Sequence, residues 1–172
     1  MNTYQLYTVL ECDFENRVFG VFASDQIPTY VPNGYGIIVN TDPISKMGQH
    51  WTAFYVDQTT LECFDSYGNS PEVYSSSIET FMTRYLNRKM NKKRLQGSKT
   101  AVCGQYCLFF LWCRIRKKLS MEQIIDRFTG DFALNDLFVY NFIKDKYSHC
   151  LSSNKRRSQK CVCKDKFELM SV

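Results

Sequence analysis

Only two histidines occur in the 172 residues, His50 and His149, so any chemistry that needs an imidazole has almost no choice of position. No basic flank followed by an apolar stretch occurs between Met1 and Asp13, so no signal peptide is expected. The apolar stretches Ala101–Val102 and Leu108–Cys113 are too short to span a bilayer, which excludes a membrane helix and makes a soluble intracellular protein the expectation. Internal repeats and a domain-splitting linker are lacking too. One domain over residues 1–151 is therefore expected, followed by a basic, loosely ordered tail over 152–172. The eight cysteines, Cys12, Cys63, Cys103, Cys107, Cys113, Cys150, Cys161 and Cys163, do not have the spacing of a disulfide framework. In a reducing compartment most of them are expected to stay thiols and act as small buried hydrophobes.

What is present is ordinary globular material. Hydrophobic residues make up 44% and charged residues 23% of the chain, enough for a packed core. Aromatics reach 15%, so large rings are expected to fill much of it. The net charge of +5 is a mild lean toward polyanions and decides nothing alone.

Local patterns predict a helix over Thr3–Cys12 capped by Thr3, then strands over Arg17–Ala23 and Gly36–Asn40. Trp51–Asp57 and Leu61–Ser66 read as a hairpin joined by Gln58-Thr59-Thr60. Val73, Ile78, Phe81, Met82 and Tyr85 share one face of a helix predicted to run to about Met90, and Lys93–Gln96 reads as extended. Cys103–Lys118 is the strongest helix, apolar first and basic at its end. Ser120-Met121-Glu122-Gln123 forms a capping box, and Asn135 is expected to cap a last helix through Ile143. The order predicts an α+β domain, a small mixed sheet packed by helices.

Cys103 is the candidate nucleophile because it opens the long helix, whose N-terminus favours a thiolate, and Gly104 beside it leaves room for a substrate carbonyl. His50 stands where a loop meets the strand starting at Trp51, a rigidly held place for a base. His149, flanked by Ser148 and Cys150 just before the tail, is a poorer place. Asp57, Glu62 and Asp65 are the acids that follow His50, and Asp65 closes its strand where it can turn toward a neighbour. His149, Cys150, Cys161 and Cys163 are not expected to form a zinc site, because Cys-Val-Cys is shorter than the usual knuckle.

Four stretches then make a specific pattern: Ile38-Val39-Asn40-Thr41 with Gly48-Gln49-His50-Trp51-Thr52-Ala53-Phe54, Phe64-Asp65-Ser66-Tyr67-Gly68, Gln96-Gly97, and Ala101-Val102-Cys103-Gly104-Gln105-Tyr106-Cys107. In order and spacing they resemble the adenovirus endopeptidase family and its relatives in large self-synthesising DNA transposons. More broadly they resemble the clan that holds the ubiquitin-like-protein proteases. Asn40 precedes His50 by ten positions and Gln96 precedes Cys103 by seven, as in the viral family, and the fit runs from about Phe19 to Trp112. The resemblance implies a papain-like cysteine protease fold with a permuted His-Asp-Gln-Cys order. It implies His50 as base, Asp65 as orienting acid, Gln96 in the oxyanion hole and Cys103 as nucleophile, with Asn40, Trp51 and Gly104 near the substrate. Departures are an Asp at 65 where viral members mostly carry Glu, a shorter stretch between Asp65 and Gln96, and no cysteine between Cys63 and Cys103 to tether a peptide activator.

The resemblance further implies polypeptide substrates cut beside glycine in capsid and core precursors, in the host nucleus and the virion. No cofactor or metal is required for the chemistry, DNA and a viral peptide are the implied activators, and a monomer is expected. Seven basic residues and no acid lie between Thr80 and Thr100. Of these Arg88, Lys89, Lys92, Lys93 and Arg94 are the candidate DNA contacts. Lys155-Arg156-Arg157 is a candidate nuclear address. Two other readings stand beside this one: a protease that removes ubiquitin-like modifiers, and a non-catalytic DNA-binding structural protein.

Overall fold

The computed structural model describes residues 1–14 and 16–152. Five strands, β1 (Val18–Phe22), β2 (Gly36–Asn40), β3 (Trp51–Asp57), β4 (Thr60–Phe64) and β5 (Asn87–Met90), form one sheet in the order β1-β2-β3-β4-β5. The sheet is mixed: β2–β3 and β3–β4 are antiparallel, while β1–β2 and β4–β5 are parallel. Five α-helices surround it, α1 (Thr3–Asp13), α2 (Ser76–Met82), α3 (Cys103–Arg116), α4 (Met121–Ile125) and α5 (Phe132–Ser152). This is the expected α+β class. No helix of the described residues is long and apolar enough to cross a membrane.

Side chains alternate across a strand, so a sheet covered on both faces is apolar on both. On one face Ile38, Ala53, Tyr55 and Phe64 pack against α3 together with α1 and α5. On the other, Ile37, Val39, Phe54, Val56, Leu61 and Cys63 pack against Ile78, Phe81 and Met82 of α2. Helix α3 is therefore sandwiched, and every residue from Cys103 to Ile115 is buried. Gly36 permits this closeness, since a Cβ there would lie 2.5 Å from Leu111 Cδ2.

An ion pair is buried in that layer. Arg114 Nε meets Glu62 Oε2 at 2.7 Å, its NH2 meets Asp57 Oδ2 at 2.8 Å, and its guanidinium lies 4.7 Å from the Tyr55 ring centroid. Arg114→Ala leaves the Glu62 carboxylate buried and uncompensated, and is expected to destabilise the protein by about 3–5 kcal/mol. A denaturant midpoint unchanged in that variant would contradict the account, and Arg114→Met with Glu62→Gln should recover part of the loss.

Several local expectations differ from the fold. Asn2, not Thr3, caps α1, because its side chain accepts from Gln5 N while the Gln5 side chain accepts from Asn2 N. The helix predicted from about residue 71 to Met90 is a 3-10 turn (Pro71–Val73), then α2, and the chain from Asn87 joins the sheet beside β4. Tertiary pairing overrode the helical periodicity there, as an open strand edge offered hydrogen bonds that an isolated last helical turn lacks. Helix α5 starts earlier than expected: Asp131 Oδ1 accepts from Ala133 N and Leu134 N, whereas Asn135 is buried and ties Thr129 N and the Leu95 carbonyl together. It also runs on through His149 to Ser152. The capping box at Ser120 and Gln123 is present as expected.

Cys63, Cys103, Cys107 and Cys113 are buried thiols, as expected. Cys12 and Cys150 instead form a disulfide between the last turns of α1 and α5, a correction to the expectation of thiols. Sequence spacing is blind to it because the two are 138 residues apart and meet only when the terminal helices pack. The tail and its candidate nuclear address lie outside the described residues beyond Ser152.

Candidate active site

Strand register brings the site together. The β2–β3 ladder pairs Asn40 with Trp51, and Thr41 N donates to the His50 carbonyl at 2.9 Å. The β3–β4 ladder pairs Ala53 with Phe64, which sets the residues after β4 beside those before β3. His50 Nε2 and Asp65 Oδ1 are 2.9 Å apart there, and Asp65 is fully buried. The N-terminus of α3 carries the Cys103 thiol to the same point, where it and the His50 ring act on each other electrostatically.

Asp65 is held on all sides. Its Oδ1 accepts from Tyr67 N (2.7 Å) and its Oδ2 from the Tyr74 hydroxyl (2.8 Å). Its backbone is gripped by Asn91, whose Oδ1 accepts from Asp65 N and whose Nδ2 donates to the Asp65 carbonyl at 2.6 Å. Tyr67 stacks on the His50 ring at 4.8 Å, and Tyr74 lies tilted at 5.5 Å. The tight turn that aims Tyr67 needs Gly68, with φ +74°, because a Cβ there would stand 2.8 Å from the Lys92 carbonyl.

The electrostatics follow. Burial pushes the His50 imidazolium down, but the hydrogen bonds to Asp65 and Cys103 and their negative charges outweigh it, raising the pKa from 6.5 to about 9. Burial pushes the Cys103 thiol up, yet the His50 hydrogen bond and charge, the Trp51 backbone N–H and the N-terminal ammonium together carry it below its ordinary value. The other buried thiols go the opposite way: desolvation pushes Cys113 up to about 12 and raises Cys63 and Cys107 further. One cysteine of the four is thus electrostatically set apart.

Gln96 is fully buried, its Oε1 accepting from Ser66 Oγ at 2.6 Å and its Nε2 donating to the Thr100 carbonyl at 2.8 Å. The loop from Gln96 to Cys103 is fastened from α5. Asp136 accepts from Gly97 N (3.1 Å), Thr100 Oγ1 (2.8 Å) and the Tyr106 hydroxyl (2.9 Å). Val102, the N-cap of α3, supplies no side-chain hydrogen bond. The first N–H groups of the helix are left to an outside acceptor beside the thiol.

An open cleft of about 500 Å³ reaches Cys103, lined among others by Met1, Asn40, Gly48, Gln49 and Trp51. Asn40 accepts from Asp42 N and lies under Gly48, and Trp51 Nε1 donates to the Met1 carbonyl at 3.1 Å. Gly104 differs from the expectation. It does not open room for substrate, because Met1 and Leu6 of the N-terminal segment fill the space, and a Cβ would meet them at 3.2 and 3.3 Å.

Of the basic candidates, Arg94 reaches this centre, while others are tied elsewhere. Arg88 faces Glu72 at 3.7 Å, Lys89 pairs with Glu122 at 2.7 Å, and Lys93 Nζ donates to the Phe128 carbonyl at 2.6 Å. Arg94 lies over the Tyr67 and Phe132 rings and donates to the Gln96 carbonyl, while Lys92 is exposed. Sequence reasoning missed Tyr74, Asn91 and Asp136. A polar side chain carries no local signal that it will be buried against a distant loop.

Known proteins match this chain. A cysteine protease of African swine fever virus, named SUMO-1 cysteine protease in some isolates, is 30% identical over 111 residues. That match covers 58% of this chain and 40% of the relative, so this chain spans well under two thirds of its length. The crystal structure of the same virus's protease is 28% identical with a TM-score of 0.45, covering 61% of this chain and 42% of that one. The Chlamydia trachomatis effector Cdu1 bound to ubiquitin is 20% identical with a TM-score of 0.47, covering 63% and 51%. The model of the adenovirus endoprotease family matches residues 18–158, which takes in every strand described, the His50–Asp65 pair, Cys103 and all of α5. With most of its length so matched, the chain belongs to the adenovirus endoprotease family, a family of cysteine proteases.

Proposed function

We propose that this protein is a cysteine endopeptidase that cuts capsid and core precursors of a virus or transposon at glycine-containing sites. The observation that carries the reading is the buried His50 Nε2–Asp65 Oδ1 pair at 2.9 Å beside Cys103, with the thiol lowered and the imidazole raised. Cys103 gives its proton to His50 Nδ1, and Asp65 holds the imidazolium through Nε2. The thiolate attacks the peptide carbonyl and forms the C–S bond, while the electron pair moves onto oxygen. The Cys103 backbone N–H and the Gln96 amide stabilise that oxyanion. Collapse expels the amine, which takes the proton from His50. Water, deprotonated by His50, then cleaves the thioester and returns the thiol.

Gln96 Nε2 meets the Thr100 carbonyl at 2.8 Å and Thr100 Oγ1 at 3.3 Å, and in this reading one of its two hydrogens turns from Oγ1 to the oxyanion. Gln96→Ala is therefore expected to lower kcat by about 10²–10³-fold. Alkylation of Cys103 should stay near the wild-type rate in that variant, because an oxyanion donor acts on the transition state and not on the thiolate. Equal losses in both would assign Gln96 a merely structural role. Glycine preference, activation by DNA and by a peptide, action in the nucleus and virion, and the monomeric state are carried over from the family. In this reading the exposed Lys92 and its basic neighbours meet phosphates, so binding weakens steeply with salt.

A second reading is favoured by the name of the African swine fever virus relative: a protease that releases ubiquitin-like modifiers. Turnover of glycine-containing peptides alone supports the first reading. Turnover only of an intact modifier fusion supports the second.

A further inference from the structure

One cluster of metal-binding side chains lies outside the active site. Cys12 ends α1, His149 and Cys150 end α5, and their ligand atoms all fall within 4.8 Å of one another. His149 Nε2 stands 3.8 Å from Cys12 Sγ and 3.2 Å from Cys150 Sγ. In a tetrahedral zinc site with Zn–S near 2.3 Å and Zn–N near 2.05 Å, sulfur and nitrogen ligands are separated by about 3.6 Å. The two observed values bracket that separation. Only the sulfurs, joined here as a disulfide, are closer than such a site needs.

We propose that Cys12, His149 and Cys150, once the two cysteines are reduced, hold a zinc ion that ties α1 to α5. Two thiolates and an imidazole are soft and borderline donors, the set that selects zinc over magnesium or calcium. The step balances. A dithiol reductant gives two electrons and two protons to the Cys12–Cys150 bond and closes to its own disulfide. Zinc then displaces the two thiol protons, and the uncharged His149 binds through Nε2. A fourth ligand, water or another side chain, completes the tetrahedron. The Cα atoms are 6.7 Å apart, the long end of what a disulfide spans, so the thiols separate by side-chain rotation without moving the helices.

The surroundings suit a fixed site. Beside Cys12, Asp13 accepts from the Tyr147 hydroxyl (2.8 Å) and pairs with Lys146 (3.3 Å) and Arg116 (3.6 Å), so the two helix ends are registered without the metal. The joined helices are the ones that frame the catalytic centre. Met1, next to the start of α1, closes over Trp51 and the cleft, and Asp136 of α5 fastens the loop before Cys103. The site is therefore a structural clasp between two supports of the active site. It does not depend on the protease reading.

The test uses the full chain carrying Cys103→Ser, so that the reactive thiol contributes nothing. After reduction with a phosphine, Co²⁺ and then Zn²⁺ are titrated in. The expected result is about one ion per chain, with Co²⁺ showing tetrahedral d–d bands and charge transfer from at least two thiolates. Cys12→Ser and Cys150→Ser should each weaken binding by more than about 100-fold, and His149→Ala by at least about tenfold. The air-oxidised chain should bind no ion at this place. That comparison needs no variant at the cluster, so it stands even if a serine variant fails to fold. Absence of thiolate charge transfer in the reduced chain overturns the proposal, and so does equal affinity in the oxidised chain.

Discussion

Cys103→Ala is expected to lower peptide turnover by at least about 10⁴-fold, because no other group in the site can form the acyl bond. The same assignment has a readout that needs no substrate. Near pH 6 an ordinary thiol is less than about 1% thiolate and alkylates slowly. Cys63, Cys107 and Cys113 are completely buried and pushed above the ordinary range, so they should be slower still. Cys103, 7% exposed and lowered by His50, should label more than about 100-fold faster than those three. His50→Ala should erase that lead, since burial alone would raise the thiol. Mass spectrometry of the alkylated peptides decides it: comparable rates at all four positions would remove Cys103 as nucleophile.

The second large effect belongs to Asp65. Asp65→Asn keeps the shape of the side chain but withdraws the charge that faces His50 Nε2. Turnover should fall by about 10⁴-fold, the scale seen when a triad acid is neutralised, because the amide neither stabilises imidazolium nor fixes the tautomer. The variant also has a pH signature. His50 is raised above its unfolded value, so its contribution to stability is complete below pH 6.5 and is lost as pH rises through about 9. That contribution is on the order of 3 kcal/mol. Removing the Asp65 charge should flatten the stability profile across this window, measured by denaturant unfolding at pH 6 and pH 9.5. An Asp65→Asn chain that kept the wild-type slope would mean that the carboxylate does not hold the ring.

Not every supporting residue was equally legible. His50, Asp65, Gln96 and Cys103 stand in short stretches whose order and spacing survive in one dimension, which makes them legible as candidates. Strand positions were legible in the short apolar run Gly36–Asn40 and in the alternating, aromatic and β-branched Trp51–Asp57, which the sheet reproduces to the residue. β5 was not, since Asn87-Arg88-Lys89-Met90 has neither alternation nor β-branched residues and pairs because β4 presents a free edge. Gly104 was read as open space, whereas the N-terminal segment occupies it. A glycine in a sequence says that something comes close, not what.

The α+β class and the long helix opening at Cys103 were legible in one dimension, and so was the choice of His50, Asp65, Gln96 and Cys103 as candidates. These depend on local periodicity, caps and motif spacing. The closed fold sets which groups hold those four side chains in place: Tyr74 and Asn91 on Asp65, Ser66 on Gln96, Asp136 on the loop before Cys103. It alone brought Cys12 to His149 and Cys150. A buried hydrogen bond or a shared ligand site forms between partners tens to more than a hundred residues apart. The free energy that selects each one, desolvation offset by a matching donor or acceptor, exists only once the helices and sheet have closed around it.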